Sequence, residues 1–367
     1  MSKPAEPVAK VNAHALGLDV HKNLIVWCLL DRRGRLAAQG RTGGTPGHLL
    51  DLLRTVVGRK KAHIAFEASS CSLWVYDLLV DRLGDPSRVH VAHARKVDAI
   101  ANSRDKSDEN DAWWLAYLTY EGRLPEVRVS VGVYRELRTV GRHRTSLVQR
   151  RTRLAQAIHA HFRQAGMALP RTQLSAARSW DCVREQAVQL PGVVREIVLE
   201  GLEEMARLSR QIEHWNARLA QIAKELPEVE EIRRQLPGFG PLLAAVVVGE
   251  LGELSRFGHA KALGRYAGLV PTRRGTGGDP RHGQISLEGS AHLRWALVQA
   301  AAASLRVKEG PGSAVAAWIR THQRHLGSKK KGLIAGARKL AESIWLLFHH
   351  GKDFDIRRPF GRYQPAA

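Results

Sequence analysis

Six apolar residues, Met205, Leu208, Ile212, Trp215, Leu219 and Ile222, follow one another at spacings of 3, 4, 3, 4 and 3. Such a repeat lays one apolar seam along a helix and requires a second helix to cover it. The spacing predicts a long helix over about 195–227. A second long helical pattern covers 134–165 and holds eight Arg against one Glu, a local charge of +7. Two arrangements satisfy the seam equally well: an antiparallel hairpin of these helices, or dimerisation. The stretch between them, 166–194, carries Pro170 and Pro191 and reads as irregular.

The texture on either side of this helical centre differs. Before it, HALGLDV, NLIVWCLLD and RLAAQGR read as a β-meander over residues 14–40. A helix at about 46–57, the strand AHIAFEA, a helix around 72–83, a short strand RVHVAH and helices near 94–102 and 109–121 follow. Strands as hairpins and then alternating with helices predict a mixed sheet with helices on its faces, an α/β unit. After the centre, LPGFGPLLAAVVVGELG has the pattern of a helix-hairpin-helix, a Pro-Gly-x-Gly turn and a small-residue helix that would let backbone amides approach a phosphate. The expected domains are therefore 12–128, 129–230 and 231–355.

Charge narrows the class of partner. The chain has 57 Lys and Arg against 35 Asp and Glu, a net +22. Between residues 256 and 350 stand 16 basic and 4 acidic side chains, so +12 of that excess lies in about a quarter of the chain. Clustered arginine and lysine fit a nucleic acid better than a small acidic metabolite. No apolar run approaches the ~18 residues of a membrane span, and the first twenty residues lack the apolar stretch of a signal peptide, so the expected location is the cytoplasm, on the nucleoid. Cys28, Cys71 and Cys182 are unclustered and indicate neither disulfides nor a zinc site.

Four carboxylates are out of place for packing alone. Asp19 sits in the apolar strand LGLDV and Glu67 ends the apolar strand AHIAFE, where an unpaired carboxylate is costly. Asp108 and Asp111, three residues apart at the start of DENDAWWLAYL, share one helix face. Together they offer an oxygen-rich site suited to Mg²⁺ or Mn²⁺. Trp113 and Trp114 follow on the same helix and read as core rather than as a platform for bases.

These residues carry a resemblance. LGLDVHK, FEAS, KSDENDA and the carboxyl-terminal run from LPGFGPLLAAVVVGELG to SAHLRWALVQAA look like the DEDD-type insertion-sequence transposases. The resemblance implies an RNase H/RuvC-like catalytic domain, a long coiled coil and an all-α carboxyl-terminal transposase domain. It implies Asp19, Glu67, Asp108 and Asp111 as the metal-binding tetrad, with Asp105 the nearest competitor in the same loop. It also implies a carboxyl-terminal serine that attacks DNA. At that place the chain reads Pro271-Thr-Arg-Arg-Gly-Thr276-Gly277, a threonine where the family pattern has serine. Threonine keeps the hydroxyl but adds a methyl that stiffens χ1. Ser286 is the alternative nucleophile, read alternatively as the cap of a helix over 287–305.

For nucleic-acid contact the arginines stand out. Arg135, Arg138, Arg142, Arg144, Arg150, Arg151 and Arg153 line the first long helix; Arg273, Arg274 and Arg281 flank the glycine-rich loop, and Arg294 follows. The partners implied by the resemblance are donor and target DNA and a bridge RNA from the element, with a homodimer or tetramer formed through the coiled coil. Two alternatives from other classes remain: a RuvC-like nuclease that hydrolyses DNA with metal and water, and an inactive nucleic-acid-binding relative.

Overall fold

Strand β1 (His14–Val20) is the centre of a five-stranded sheet of order β3-β2-β1-β4-β5 in the computed structural model. β2 (Leu24–Leu30) and β3 (Leu36–Gly43) extend it as an antiparallel meander, while β4 (Ala62–Glu67) and β5 (Val89–Ala92) join in parallel on the other side. The structure describes residues 10–101, 107–170, 174, 177–274, 281–310, 312–351 and 354–360. They divide into two units at Val129 and Ser130.

The two faces of β1 do different work because side chains alternate along a strand. Leu16 and Leu18, with Ile64 and Phe66 of β4, are fully buried in one core with α1 (Pro46–Leu52) and α2 (Ser72–Leu83). Burying each such side chain contributes about 1.5–3 kcal/mol. On the opposite face Ala15 and Gly17 lie under α4 (Asp108–Tyr120). A Cβ at Gly17 would stand 2.0 Å from the Ala112 carbonyl oxygen and 2.6 Å from the Ala116 nitrogen. Only glycine lets α4 come this close to the sheet. Trp113 stacks on Tyr117 with centroids 4.9 Å apart, and both pack partly buried against this core. A short helix α3 (Ala94–Ala101) precedes α4.

The second unit is mostly helical. α5 (Gly132–Gln164) and α7 (Gly192–Ala223) form an antiparallel hairpin: Arg144 donates to Asn216 at 3.0 Å and Arg151 to Ser209 at 3.0 Å. Met205, Leu208, Ile212, Leu219 and Ile222 are all buried and Trp215 partly so. The heptad seam is thus filled within one chain. The stretch expected to be irregular holds a helix, α6 (Trp180–Ala187), whose Trp180, Val183 and Ala187 close the far end of the hairpin beside Phe162 and Leu202. The prolines obscured an i, i+3, i+7 apolar stripe.

At the near end of the hairpin, Leu137, Val140, Leu219 and Ile222 share one core with the carboxyl-terminal helices. α8 (Pro227–Gln235) and α9 (Pro241–Leu251) flank the Pro-Gly-x-Gly turn, and residues 244–251 of α9 are all buried. Gly238 takes φ +83°, and a Cβ there would lie 2.1 Å from the Ala300 carbonyl of α11 (Ala291–Ser304). Ser304 donates to the Pro237 carbonyl at 2.9 Å. This glycine lets the turn pack closely on α11. α10 (Ala260–Tyr266), the β6–β7 ribbon (Pro271–Arg274 with Arg281–Ile285), α12 (Ser313–His325), α13 (Lys329–His350) and α14 (Arg357–Phe360) complete the unit. Among the described residues no helix is long and apolar enough to cross a membrane.

Candidate metal centre

Strand alternation that buries Ala15 and Gly17 under α4 carries Asp19 to the same face at the end of β1. The parallel register pairs Leu18 with Phe66, so the next residues, Asp19 and Glu67, end adjacent strands side by side. Ser107 caps α4 by accepting from the Asn110 amide at 3.2 Å, which fixes the first turn and with it Asp108 and Asp111. Arg41 of β3 pairs with Glu109 and ties that turn to the sheet. Two carboxylates thus come from strand ends and two from a helix start.

His21 joins them. Its Nε2 lies 3.0 Å from Asp19 Oδ2 and 3.6 Å from Asp108 Oδ1. Asp19, His21 and Asp108 each present a ligand atom within 4.8 Å of the others, the one such grouping among the described residues. Glu67 and Asp111 stand outside that tight triad. Sequence reasoning missed His21, for which the position two residues beyond Asp19 is only a weak signal. Asp105 lies outside the described residues.

Asp19 is 8% exposed. Burial pushes its carboxyl above the ordinary aspartate range; the His21 charge and hydrogen bond oppose this, and the Asp108 and Asp111 charges reinforce it. Crowded carboxylates with a single imidazole between them form a site deficient in positive charge. Oxygen donors, one imidazole and an open side at Asp108, whose side chain is 44% exposed, fit a divalent cation.

The hydroxyl candidates lie in the second unit. Thr276 is outside the described residues; the ribbon around it pairs Arg274 with Arg281 and Arg273 with His282. Ser286 is half-buried at the ribbon's foot, where its amide donates to the Val270 carbonyl at 2.9 Å. It does not cap a helix: α11 begins at Ala291 and Ser290 caps it, accepting from the Leu293 amide at 3.2 Å.

The arginines of α5 are mostly engaged within the unit. Arg142 makes a two-pronged contact to Glu250 at 2.7 and 3.0 Å, and Arg138 lies 3.4 Å from the same carboxylate. Arg135 donates to the Ser130 carbonyl, and Arg144 and Arg151 bond α7 as described. Arg150 lies 3.6 Å from Glu204, and Arg153 is exposed. Arg294 donates to the carbonyls of Ala267 and Leu287 at 3.1 and 3.4 Å. Glu250, a lone carboxylate in AAVVVGEL, carries in the sequence the same signal as Asp19.

Sequence comparisons place known proteins beside both units. A family described as Transposase, the DEDD type of the IS110 group, matches residues 16–167, and one described as Transposase IS116/IS110/IS902 family matches residues 230–315. The transposase for insertion sequence element IS1111A of Coxiella burnetii is 23% identical over 336 residues, 90% of this chain and 88% of that protein. The transposase for insertion sequence element IS1328 of Yersinia enterocolitica is 25% identical over 253 residues, 68% of this chain and 74% of its own.

Proposed function

The chain belongs to the DEDD-type insertion-sequence transposases, and from that premise we propose that it cuts and rejoins DNA at the carboxylate cluster on the ends of β1 and β4. The observation that carries this reading is the convergence of Asp19 and Asp108, from a strand end and a helix start, on one imidazole. In this reading residues 12–128 are the RNase H/RuvC-like catalytic domain, 129–230 the coiled-coil element and 231–355 the transposase domain with its helix-hairpin-helix start.

Asp19, Glu67, Asp108 and Asp111 would hold Mg²⁺ or Mn²⁺. Such a cation, when bound, neutralises phosphate oxygens and the charge that develops on a departing oxygen. The chain's own residues do the rest. Asp19, fixed by β1 and almost fully shielded from water, orients its oxygens without rearrangement. His21 holds the Asp19 and Asp108 carboxylates together. Thr276 is the proposed nucleophile: its Oγ1 loses a proton, forms the bond to phosphorus, and the 3′ oxygen of the broken linkage leaves with a proton as a hydroxyl. Ser286 is the alternative.

By the same family argument, a bridge RNA of the element pairs with donor and target DNA, leaving the protein to hold backbone and shape. The exposed side of α5, with Arg150 and Arg153, is the surface offered for it.

The test is to incubate the protein, purified with its bound nucleic acid, with donor and target DNA and Mg²⁺, and to look for a covalent protein–DNA adduct. The adduct is expected, and Thr276→Ala is expected to remove it while Ser286→Ala spares it. Cleaved DNA with free ends and no adduct would replace this mechanism with metal-dependent hydrolysis.

A further inference from the structure

From residue 310 to residue 341 the chain contains no acidic side chain, yet it holds Arg320, Arg324, Lys329, Lys330, Lys331, Arg338 and Lys339. Arg320 is engaged with the Leu305 carbonyl at 2.8 Å and Lys339 with Glu342 at 3.3 Å. Arg324 and the three consecutive lysines are exposed, and their side chains make no hydrogen bond or ion pair among the described residues. They are gathered by the turn Leu326-Gly327-Ser328 between α12 and α13. The turn is firmly built: Gly327 takes φ +59°, and a Cβ at Gly332 would lie 2.4 Å from the Gln323 side chain and 2.8 Å from its nitrogen. Glycine at 332 lets α13 cross α12 closely, and Arg324 and the lysines flank the turn that joins the two helices.

The lysines are in the wrong place for helix stability. Ser328 caps α13 by accepting from the Lys331 amide at 3.3 Å. A serine cap is matched by a glutamate three residues on, whose carboxylate returns to the cap and suits the positive end of the helix. The chain has lysine there and at both preceding positions. The cap is already satisfied by Ser328, so the charge does not serve the fold. The arginines of α5, by contrast, are largely spent on Glu250, Asn216 and Ser209.

We propose that Arg324, Lys329, Lys330 and Lys331 form a contact surface for the phosphate backbone of duplex DNA. The inference rests on the transposase reading for its choice of DNA, and it assigns to this turn a role separate from the carboxylate cluster. Compact ammonium groups on a rigid turn suit point contacts with successive phosphates, without base selection.

The experiment compares the full-length protein with Lys329→Gln/Lys330→Gln/Lys331→Gln and with Lys331→Glu, measuring affinity for a labelled duplex of arbitrary sequence over a salt series. Each lost phosphate contact lowers the slope of log affinity against log salt by about 0.9, so the triple variant should lose about 2–3 from its slope and bind about 10-fold or more weakly. Lys331→Glu should weaken binding too, yet raise the melting temperature, because it completes the capping pair. Opposite signs for binding and stability separate a contact role from a structural one. An unchanged slope and affinity in the triple variant would overturn the inference, as would a loss confined to RNA. Absence of salt-dependent duplex binding by the unaltered protein would instead count against the transposase reading.

Discussion

Replacing Asp19 with Asn is expected to abolish DNA cleavage and joining, with a loss of about 10³-fold or more, while leaving the protein folded. The asparagine has the same shape, so β1 and the approach of α4 at Gly17 are kept. What is lost is the one nearly buried carboxylate of the cluster. The change has a second, opposite consequence. Burial and the Asp108 and Asp111 charges push the Asp19 carboxyl above its ordinary value, so its ionised form burdens the folded state, and increasingly so as pH rises through the Asp19 range. Without divalent ions, Asp19→Asn should therefore melt no lower than the unaltered protein at neutral pH. With Mg²⁺ or Mn²⁺ added, the unaltered protein should gain stability and the variant should not, because a cation that binds the folded state alone shifts the equilibrium by mass action. Thermal melting across a metal series reads both effects. Activity retained by Asp19→Asn would remove that residue from the chemistry.

The largest loss of stability is expected at Glu250→Ala, about 3 kcal/mol. Glu250 is 2% exposed and receives Arg142, Arg138 and the Ser290 hydroxyl, the last at 2.8 Å. Burial alone would raise its carboxyl; the Arg142 hydrogen bond, the Arg138 and Arg142 charges and Ser290 outweigh that and hold it below the ordinary range. Removing one member of a buried ion pair leaves the others uncompensated, at about 3–5 kcal/mol. Arg142 keeps 42% of its side chain in water and can rehydrate, which places the effect at the lower end. Glu250→Gln should lose less, since the amide oxygen still accepts from Arg142. A depressed carboxyl stabilises the fold fully above about pH 4.5 and loses that contribution as pH falls through the folded-state value, so the gap between Glu250→Ala and the unaltered protein should narrow in acid. Urea midpoints at neutral and acidic pH measure both. A variant as stable as the unaltered protein would show that Glu250 only fills space.

These two carboxylates also show what the sequence makes legible. A charged residue in an apolar strand or helix is conspicuous, which is why Asp19 and Glu67 stood out, and Glu250 carried the same signal. The sheet was readable because β1, β2 and β4 are short apolar runs bounded by turns, and α4 because its acidic start precedes a small and aromatic face. The partner of the heptad seam was not readable. Period alone does not distinguish a neighbouring helix in the same chain from one in another, and the answer lies in pairs such as Arg144 with Asn216, far apart in sequence. For the same reason the arginines of α5 could not be sorted in advance into those committed to Glu250 and those left in water. Gly17 reads as an ordinary strand glycine until α4 is placed on it. His21 belongs to the cluster by a two-residue alternation that is weak evidence without a known neighbour at Asp108.

In the proposed site a divalent cation is held where β1 and β4 end and α4 begins. Iron-directed cleavage locates such an ion: Fe²⁺ bound in place of Mg²⁺, with ascorbate and peroxide, cuts the polypeptide beside it. Cuts are expected next to Asp19, near Glu67 and beside Asp108 and Asp111, diminished by excess Mg²⁺ and lost in Asp19→Asn. Cuts elsewhere in the chain, or cuts at these positions that persist in Asp19→Asn, would contradict this site.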